Sequence, residues 1–298
     1  MEINQHNLGI LRQAVETRFK NAFRALEKNL YGEFTMTIPM GTSQIDMPML
    51  EQLVGMREWL DDRKVNNLTT QMLTVKPRKF ENTYGIPADA IADDQYGVYV
   101  GMFEQMAAQA VNLRPYLIEE LLINSASAKW LDGANFFGSS RKYGKNTINN
   151  YSTNALTQDN FKTAYGLMIS YMGHGNTPLR VVPRYLVHGP ATRWTAISIV
   201  DNPMVAVNGA ALPNETYNLC QRIEIKNASI GNKWWIFGEA LAYKPVGYFE
   251  RERPDRIVRL DRPQDENVFM RDEYLFGCKG RAEAAFLLPH LAYFGNAA

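Results

Sequence analysis

Asp89, Asp93 and Asp94 form the tightest group of potential catalysts in the chain. Paired carboxylates can act as acid and base or hold a divalent cation. A cation site also wants a converging third ligand, usually on a glycine-shaped loop, and none is legible nearby. The same acids stand just ahead of a long helical pattern, where negative charge favours a helix N-terminus. Helix initiation accounts for them, and a metal-dependent enzyme built on them stays as a rival reading. Gly138 to Asn146 resembles a phosphate loop at a glance, but the spacing to Gly144-Lys145 is wrong and Asn146 stands where a hydroxyl is required. His174 and His188 are too far apart for a helix-face metal pair. No His-Glu-x-x-His, Cys-x-x-Cys or Gly-x-Ser-x-Gly occurs. The two cysteines, Cys220 and Cys278, have no ligand spacing and read as buried thiols in a reducing compartment. No nucleophile with a base is visible, so the expectation is a protein that is not an enzyme and needs no cofactor or metal.

The remaining charged groups suit contacts better than catalysis. Lys76, Arg78 and Lys79 cluster at the end of an extended stretch, and Glu250, Arg251, Glu252 and Arg253 lie together in another. Trp234 and Trp235 adjoin in a strand pattern and so point to opposite faces. One is expected in the core and the other is available to a partner. Over 298 residues, 32 Lys and Arg balance 31 Asp and Glu, a net charge of +1. A protein that grips nucleic acid through its phosphates usually carries a clear basic excess. If this chain surrounds DNA, it does so by enclosure. With 46% hydrophobic and 21% charged residues, whole-chain disorder is excluded. No apolar run approaches a membrane span, and the start of the chain has no signal-peptide pattern. The Asn-x-Ser/Thr matches at Asn67, Asn150, Asn214 and Asn227 carry no meaning without secretion.

The elements that must position these groups are mixed. Leu8, Leu11, Val15, Phe19, Phe23, Leu26 and Leu30 recur at helical spacing and predict an amphipathic helix to about Asn29. The period then switches to alternation at Met36 and Ile38 and again at Ile45, Met47 and Met49. Pro39, Pro48 and Pro77 argue against central sheet positions. Phe34 to about Tyr84 reads as a long protruding hairpin with a helical insert near Met56 to Leu60. A long helix follows, with Tyr99, Met102, Phe103, Met106, Ala110 and Leu113 on one face, kinking or restarting at Pro115. Trp130 to Tyr151 is turn-rich and reads as a surface loop or hairpin. Thr157 is expected to cap a helix whose inner face carries Phe161, Tyr165, Met168 and Met172. Arg180 to Val187 reads as a buried strand. Arg222–Lys226 and Lys233–Phe237, flanking Gly231-Asn232, read as a hairpin. The class is α+β.

A resemblance is carried by several motifs in order. Arg57-Glu58-Trp59-Leu60-Asp61-Asp62-Arg63, Phe80-Glu81-Asn82-Thr83, Asp93-Asp94-Gln95-Tyr96-Gly97-Val98-Tyr99 and Asp132-Gly133-Ala134-Asn135-Phe136-Phe137 each resemble segments of Mu-like phage major head subunits. Arg114-Pro115-Tyr116 and Asp265 to Arg271, with Gly277 and Arg281 after it, are similar to further segments of that family. The stretch after Phe137, Gly138-Ser139-Ser140-Arg141, departs from the family pattern.

The resemblance implies the tailed-phage major capsid fold, Hong Kong 97-like. Its parts would be an N-terminal arm (1–33), an extended hairpin loop (34–84), a peripheral domain with a long spine helix (85–135 and 240–285) and an axial domain (136–239 and 286–298). It implies a structural subunit that assembles with itself, as pentamers and hexamers, into an icosahedral shell around packaged double-stranded DNA. The shell would sit in the virion after assembly in the bacterial host cytoplasm. Separate scaffolding, portal and decoration proteins are the other partners it implies, and no long scaffold segment is expected ahead of the arm. An encapsulin-like compartment shell is the alternative. Met36, Ile38, Met47, Lys76, Arg78, Glu250, Arg251 and Arg253 are the expected intersubunit contacts.

Overall fold

The computed structural model describes residues 5–28, 30–49, 71–92, 96–143, 146–173, 177–207, 210–240, 243–262 and 264–297. The helical insert expected near Met56, the Arg57 to Arg63 motif, Asp93, Asp94, Gly144, Lys145 and His174 lie outside the described residues. The chain opens with α1 (Gln5–Leu26), followed by β1 (Thr35–Pro39), β2 (Ile45–Met49), β3 (Gln71–Val75) and β4 (Arg78–Pro87). Helices α2 (Ala88–Ala92), α3 (Tyr96–Val111) and α4 (Leu113–Ile123) come next. Three short strands, β5 (Arg141–Tyr143), β6 (Asn146–Ile148) and β7 (Tyr151–Ser152), lead to α5 (Gln158–Ile169). After β8 (Val182–His188) and α6 (Arg193–Ala196) stand β9 (Met204–Val207), β10 (Ala210–Pro213), β11 (Gln221–Glu224) and β12 (Trp234–Glu239). The chain ends with β13 (Val246–Glu252), β14 (Ile257–Leu260), α7 (Glu266–Arg271), β15 (Glu273–Phe286) and β16 (Ala292–Gly295).

Among the described residues, two five-stranded sheets organise the chain. The first is built on β15, the longest strand. One edge of β15 pairs antiparallel with β13 and then β14, the other pairs with β4, and β1 lies parallel to β13. Burial along β15 alternates strictly: Tyr274, Phe276, Cys278, Gly280, Ala282, Ala284 and Phe286 face inward. That period of two is what a strand with one covered face requires. Helices α1 and α3 supply the cover, with Val15, Phe19 and Phe23 packed among Phe103, Met106, Ala107, Tyr274 and Phe276. The N-terminal helix therefore buries its stripe on its own chain, while Leu26 and Leu30 are exposed. The long helix restarts rather than kinks. Asn112 separates α3 from α4, which places Pro115 in the first turn of α4, where a missing N–H costs little. The small residues of β15 allow this junction to sit close: a Cβ at Gly280 would lie 2.9 Å from Leu113 Cδ2 and 3.2 Å from Pro254 Cβ.

The second sheet runs β11-β8-β12-β16-β7. Thr157 caps α5 as expected, its hydroxyl accepting from the Asn160 N–H at 3.2 Å. Phe161, Ala164 and Met168 bury the inner face of α5, whereas Met172 lies beyond the helix and is exposed. Two strand expectations fail here. β11 and β12 do not form a hairpin, because β8 stands between them, parallel to β11 and antiparallel to β12. The connection instead makes a 3-10 turn at Ala228–Ile230 and buries Ile225 and Ile230, so it crosses the end of β8. Trp234 and Trp235 are both fully buried, because both faces of this sheet are covered. The Trp234 indole N–H donates to Asn154 O at 3.0 Å, and that of Trp235 to Ser125 Oγ at 3.1 Å.

The segment expected as a surface loop or hairpin contains a short hairpin, β5 with β6, but its aromatic residues make it a joint of the core as well. Trp130, Phe136, Phe137 and Ile148 are buried, and Phe136 stacks on Phe286 while Phe137 meets it edge-on. Asn150 ties the segment down. Its amide donates to Phe136 O and Pro289 O and accepts from the Gly138 N–H. Three of the Asn-x-Ser/Thr asparagines are thus structural: Asn214 donates to three main-chain carbonyls, and Asn227 caps the turn after β11.

Burial holds the pKa of His188 below its ordinary value and that of His290 down at about 4. As pH falls from about 6.5 towards that value, the unfolded chain gains a proton that folded His290 refuses, so stability is lost on acidification. Urea unfolding should show His290→Gln losing roughly 2–3 kcal/mol less than the parent between neutral pH and the mid-fours. Identical pH slopes for the two proteins would refute this.

Candidate assembly surfaces

Strands β1 and β4 carry residues 35–39 and 78–84, expected in the protruding loop, into the first sheet. What projects beyond them is the β2–β3 ladder, paired from Ile45↔Val75 to Met49↔Gln71. Leu73, Val75 and Met40 anchor its base in the main core. Among the predicted contacts, Met36 and Ile38 are half-buried and pack on that same core. Met47 pairs with Leu73 through the ladder backbone, and Lys76 is exposed.

Arg78 is tied within the chain. Its guanidinium donates to Glu283 at 2.7 Å and to Glu120 at 2.5 Å, and lies 5.5 Å from the Phe80 ring centre. Both carboxylates raise its pKa. Arg253 pairs with Glu27 and stacks on Phe23, which pins the end of α1 to β13. Glu250 is half-buried, and burial raises its carboxyl above the usual range while Arg114 pulls it back. Arg114 donates to Thr35 and Thr37 and lies 5.1 Å from the Tyr248 ring centre. Glu250, Arg253, Arg114 and Glu27 meet in a cleft of about 420 Å³ at the junction of α1, α4, β1 and β13. Glu252 pairs with Lys279 at 3.2 Å. Arg251 is different: its Nη1 is buried with no acceptor among the described residues.

Sequence reasoning missed the apolar surface. Phe269 and Met270 are 83% and 70% exposed on α7, which buries no residue. Trp194 is 77% exposed. Met204 and Leu212 are exposed on the β9–β10 hairpin, and Val258 and Leu260 on β14. Large apolar side chains left this exposed, with Phe269 and Met270 adjacent on one short helix, are candidates for contact with another protein surface. Among the described residues, those weighed for catalysis do not converge. Asp89 is exposed in the first turn of α2. His188 is buried, with Nδ1 2.7 Å from Gly189 O. Both cysteines are buried, their thiols pushed up to about 12 (Cys220) and about 11 (Cys278), which leaves them protonated. Among the described residues no cluster of His, Cys, Asp and Glu could hold a metal ion.

A spine helix with a long β-sheet, a projecting two-stranded ladder and a second sheet domain define the tailed-phage major capsid fold, Hong Kong 97-like. The procapsid of bacteriophage JBD30 matches 98% of this chain and 75% of its own, with TM-score 0.59 and 22% identity. The chain belongs to the Mu-like prophage major head subunit gpT family, which it matches over residues 8–155 and 221–298. The major capsid protein of Escherichia phage Mu is 23% identical over 86% of this chain, which spans 63% of the length of that relative. The encapsulin of the holo-SrpI complex from Synechococcus elongatus PCC 7942 shares the fold at TM-score 0.51 and 10% identity, over 90% of this chain and 86% of its own.

Proposed function

We propose that this chain is a major capsid subunit that assembles with itself into an icosahedral phage head, as pentamers and hexamers, and encloses double-stranded DNA. Membership of the major head subunit family carries the reading. The family and fold are those of structural capsid proteins, and no catalytic role is assigned. A net charge of +1 supports enclosure of DNA rather than a tight grip on it, and keeps repulsion between copies low. A shell closes through many repeated heterologous contacts. The projecting β2–β3 ladder with residues 50–70, Lys76, Arg251 and the exposed apolar patches are assigned to those contacts, with Met47. Met36, Ile38, Arg78, Glu250 and Arg253 act first within the subunit.

The domain assignment follows the strand pairing: an arm (1–33), a loop narrowed to 45–75, a peripheral domain built on β15 with α3 and α4, and an axial domain built on the second sheet. Separate scaffolding, portal and decoration proteins complete the proposed virion, assembled in the bacterial host cytoplasm. Negative-stain microscopy of the overexpressed protein should show closed particles, and nuclease-protected DNA in particles from infected or induced cells separates a head from an encapsulin-like compartment. A compact, monodisperse monomer at high concentration would sink the reading.

A further inference from the structure

Three cations stand in one row across the first sheet. Arg281 of β15 lies directly opposite Lys79 of β4. On its other side Arg281 is in register with Glu252, and the shift between Glu250 and Glu252 makes Arg251 the extra residue of a bulge beside that pair. Like charges directly opposite each other destabilise a sheet. Among the described residues none of the three is in an ion pair, and Arg251 Nη1 and Arg281 Nε are buried without an acceptor. The nearby carboxylates are engaged elsewhere, Glu283 by Arg78 and Glu252 by Lys279. Lys79 is exposed and Arg251 and Arg281 are half-buried, so the charge of the row is left uncompensated in the lone subunit.

The complementary surface is on the same chain but out of its own reach. Residues 264–273 carry Asp265, Glu266, Asp272 and Glu273 against Arg271 alone. Glu266 and Asp272 are exposed, beside the unpartnered Phe269 and Met270 of α7. This knob sits at the Glu273 end of β15. Arg281 lies about 26 Å further along the same strand, at a rise of about 3.3 Å per residue. A knob at one end of a strand and its receptor near the other describe a head-to-tail contact, which closes rings or lattices when repeated.

We propose that the Lys79–Arg281–Arg251 row receives the acidic α7 segment of a second copy of this chain, with Glu266 and Asp272 supplying carboxylates and Phe269 and Met270 covering the contact. Nucleic acid is the less fitting occupant. Glu81, Glu252 and Glu283 are interleaved with the cations on the same strands, and such acids repel a phosphate chain while leaving room for single carboxylates. The inference rests on the shell reading and assigns one of its contacts.

The test is a charge swap read by sedimentation velocity and by particle counts. R251E/R281E and E266R/D272R should each lower self-association by roughly tenfold or more, because like charges then face each other. The four-site combination should restore parental assembly. Parental assembly by either pair variant overturns the contact. So does a combination that melts like the parent yet assembles no better than the pairs. If the reversed row fails to fold, E266R/D272R alone, on exposed residues, decides the matter, and parental assembly by it refutes the proposal. Normal assembly with lost retention of duplex DNA in R251E/R281E reassigns the row to phosphates and overturns the proposal too. The shell reading fails separately: open oligomers that respond to the swap keep the contact and reject closure, whereas closed particles indifferent to it do the reverse.

Discussion

A chain in which residues 50–70 are replaced by an Asn-Gly turn should fold and melt like the parent but give less than about a tenth of the parental yield of closed particles. The paired strands on either side make this a clean experiment. Met49 and Gln71 are already register partners, so a two-residue turn joins them without disturbing the ladder. The ladder is held at its base by Leu73, Val75 and Met40 in the main core, and these stay in place. A two-residue turn costs less closure entropy than a longer connection, and the strand partners that it joins stay paired. The removed sequence contains Leu50, Leu53, Val54, Met56, Trp59 and Leu60. Side chains of this kind gain about 1.5–3 kcal/mol each on full burial. In a shell with many copies, that gain recurs at every site where one subunit reaches the next. Particle yield by gradient sedimentation should therefore fall by more than tenfold, since losing ~1.4 kcal/mol at each contact already costs a factor of ten. Removing Met36 as well would blur the result, because β1 is an edge strand of the first sheet and its loss would damage the fold. Particles at the parental yield would show that the limb is dispensable.

Features set by local periodicity were legible in the sequence. The helix of residues 5–26, the Thr157 cap, a break in the long helix near Pro115 and the strand at 182–188 all follow from side-chain spacing and turn chemistry. Pairing between strands was not. Gly231-Asn232 has the composition of a hairpin turn, yet β8, from some forty residues earlier, inserts between the strands it joins. No local pattern encodes that choice. The charged stretch at 250–253 is visible in the sequence, but which of its members are committed inside the subunit depends on distant partners. Arg253 meets Glu27 at a separation of 226 residues, and Arg78 meets Glu283 at 205. Phe269 and Met270 gave no warning, because a short helix with two apolar residues looks the same whether it packs inward or outward. The Asn-x-Ser/Thr matches misdirected attention from asparagines whose amides satisfy buried carbonyls.

The tryptophans carry the same lesson into energetics. Alternation in a strand sends neighbours to opposite faces, and one solvent face is the usual inference. That inference fails for β12, a strand interior to a sheet covered on both sides. Trp235 stacks on Phe294 with ring centres 5.3 Å apart and planes 7° from parallel. Its indole N–H donates to the buried Ser125 hydroxyl, which in turn donates to Leu122 O at the end of α4. One side chain thus joins the second sheet to α4, which packs against β15 of the first. Trp235→Ala should cost about 3–5 kcal/mol in urea unfolding of dissociated subunits, the range for emptying an aromatic site in a close-packed core. Trp235→Phe keeps most of the ring and loses the hydrogen bond, and should cost about 1–2 kcal/mol. Trp194, 77% exposed, provides the contrast. Its replacement by Ala should change subunit stability by no more than about 0.5 kcal/mol, so any loss of assembly in that variant reports a contact between copies. A Trp235→Ala subunit within 1 kcal/mol of the parent would mean that this face of β12 relaxes around the void, and the joint between the two sheets would have to be placed elsewhere.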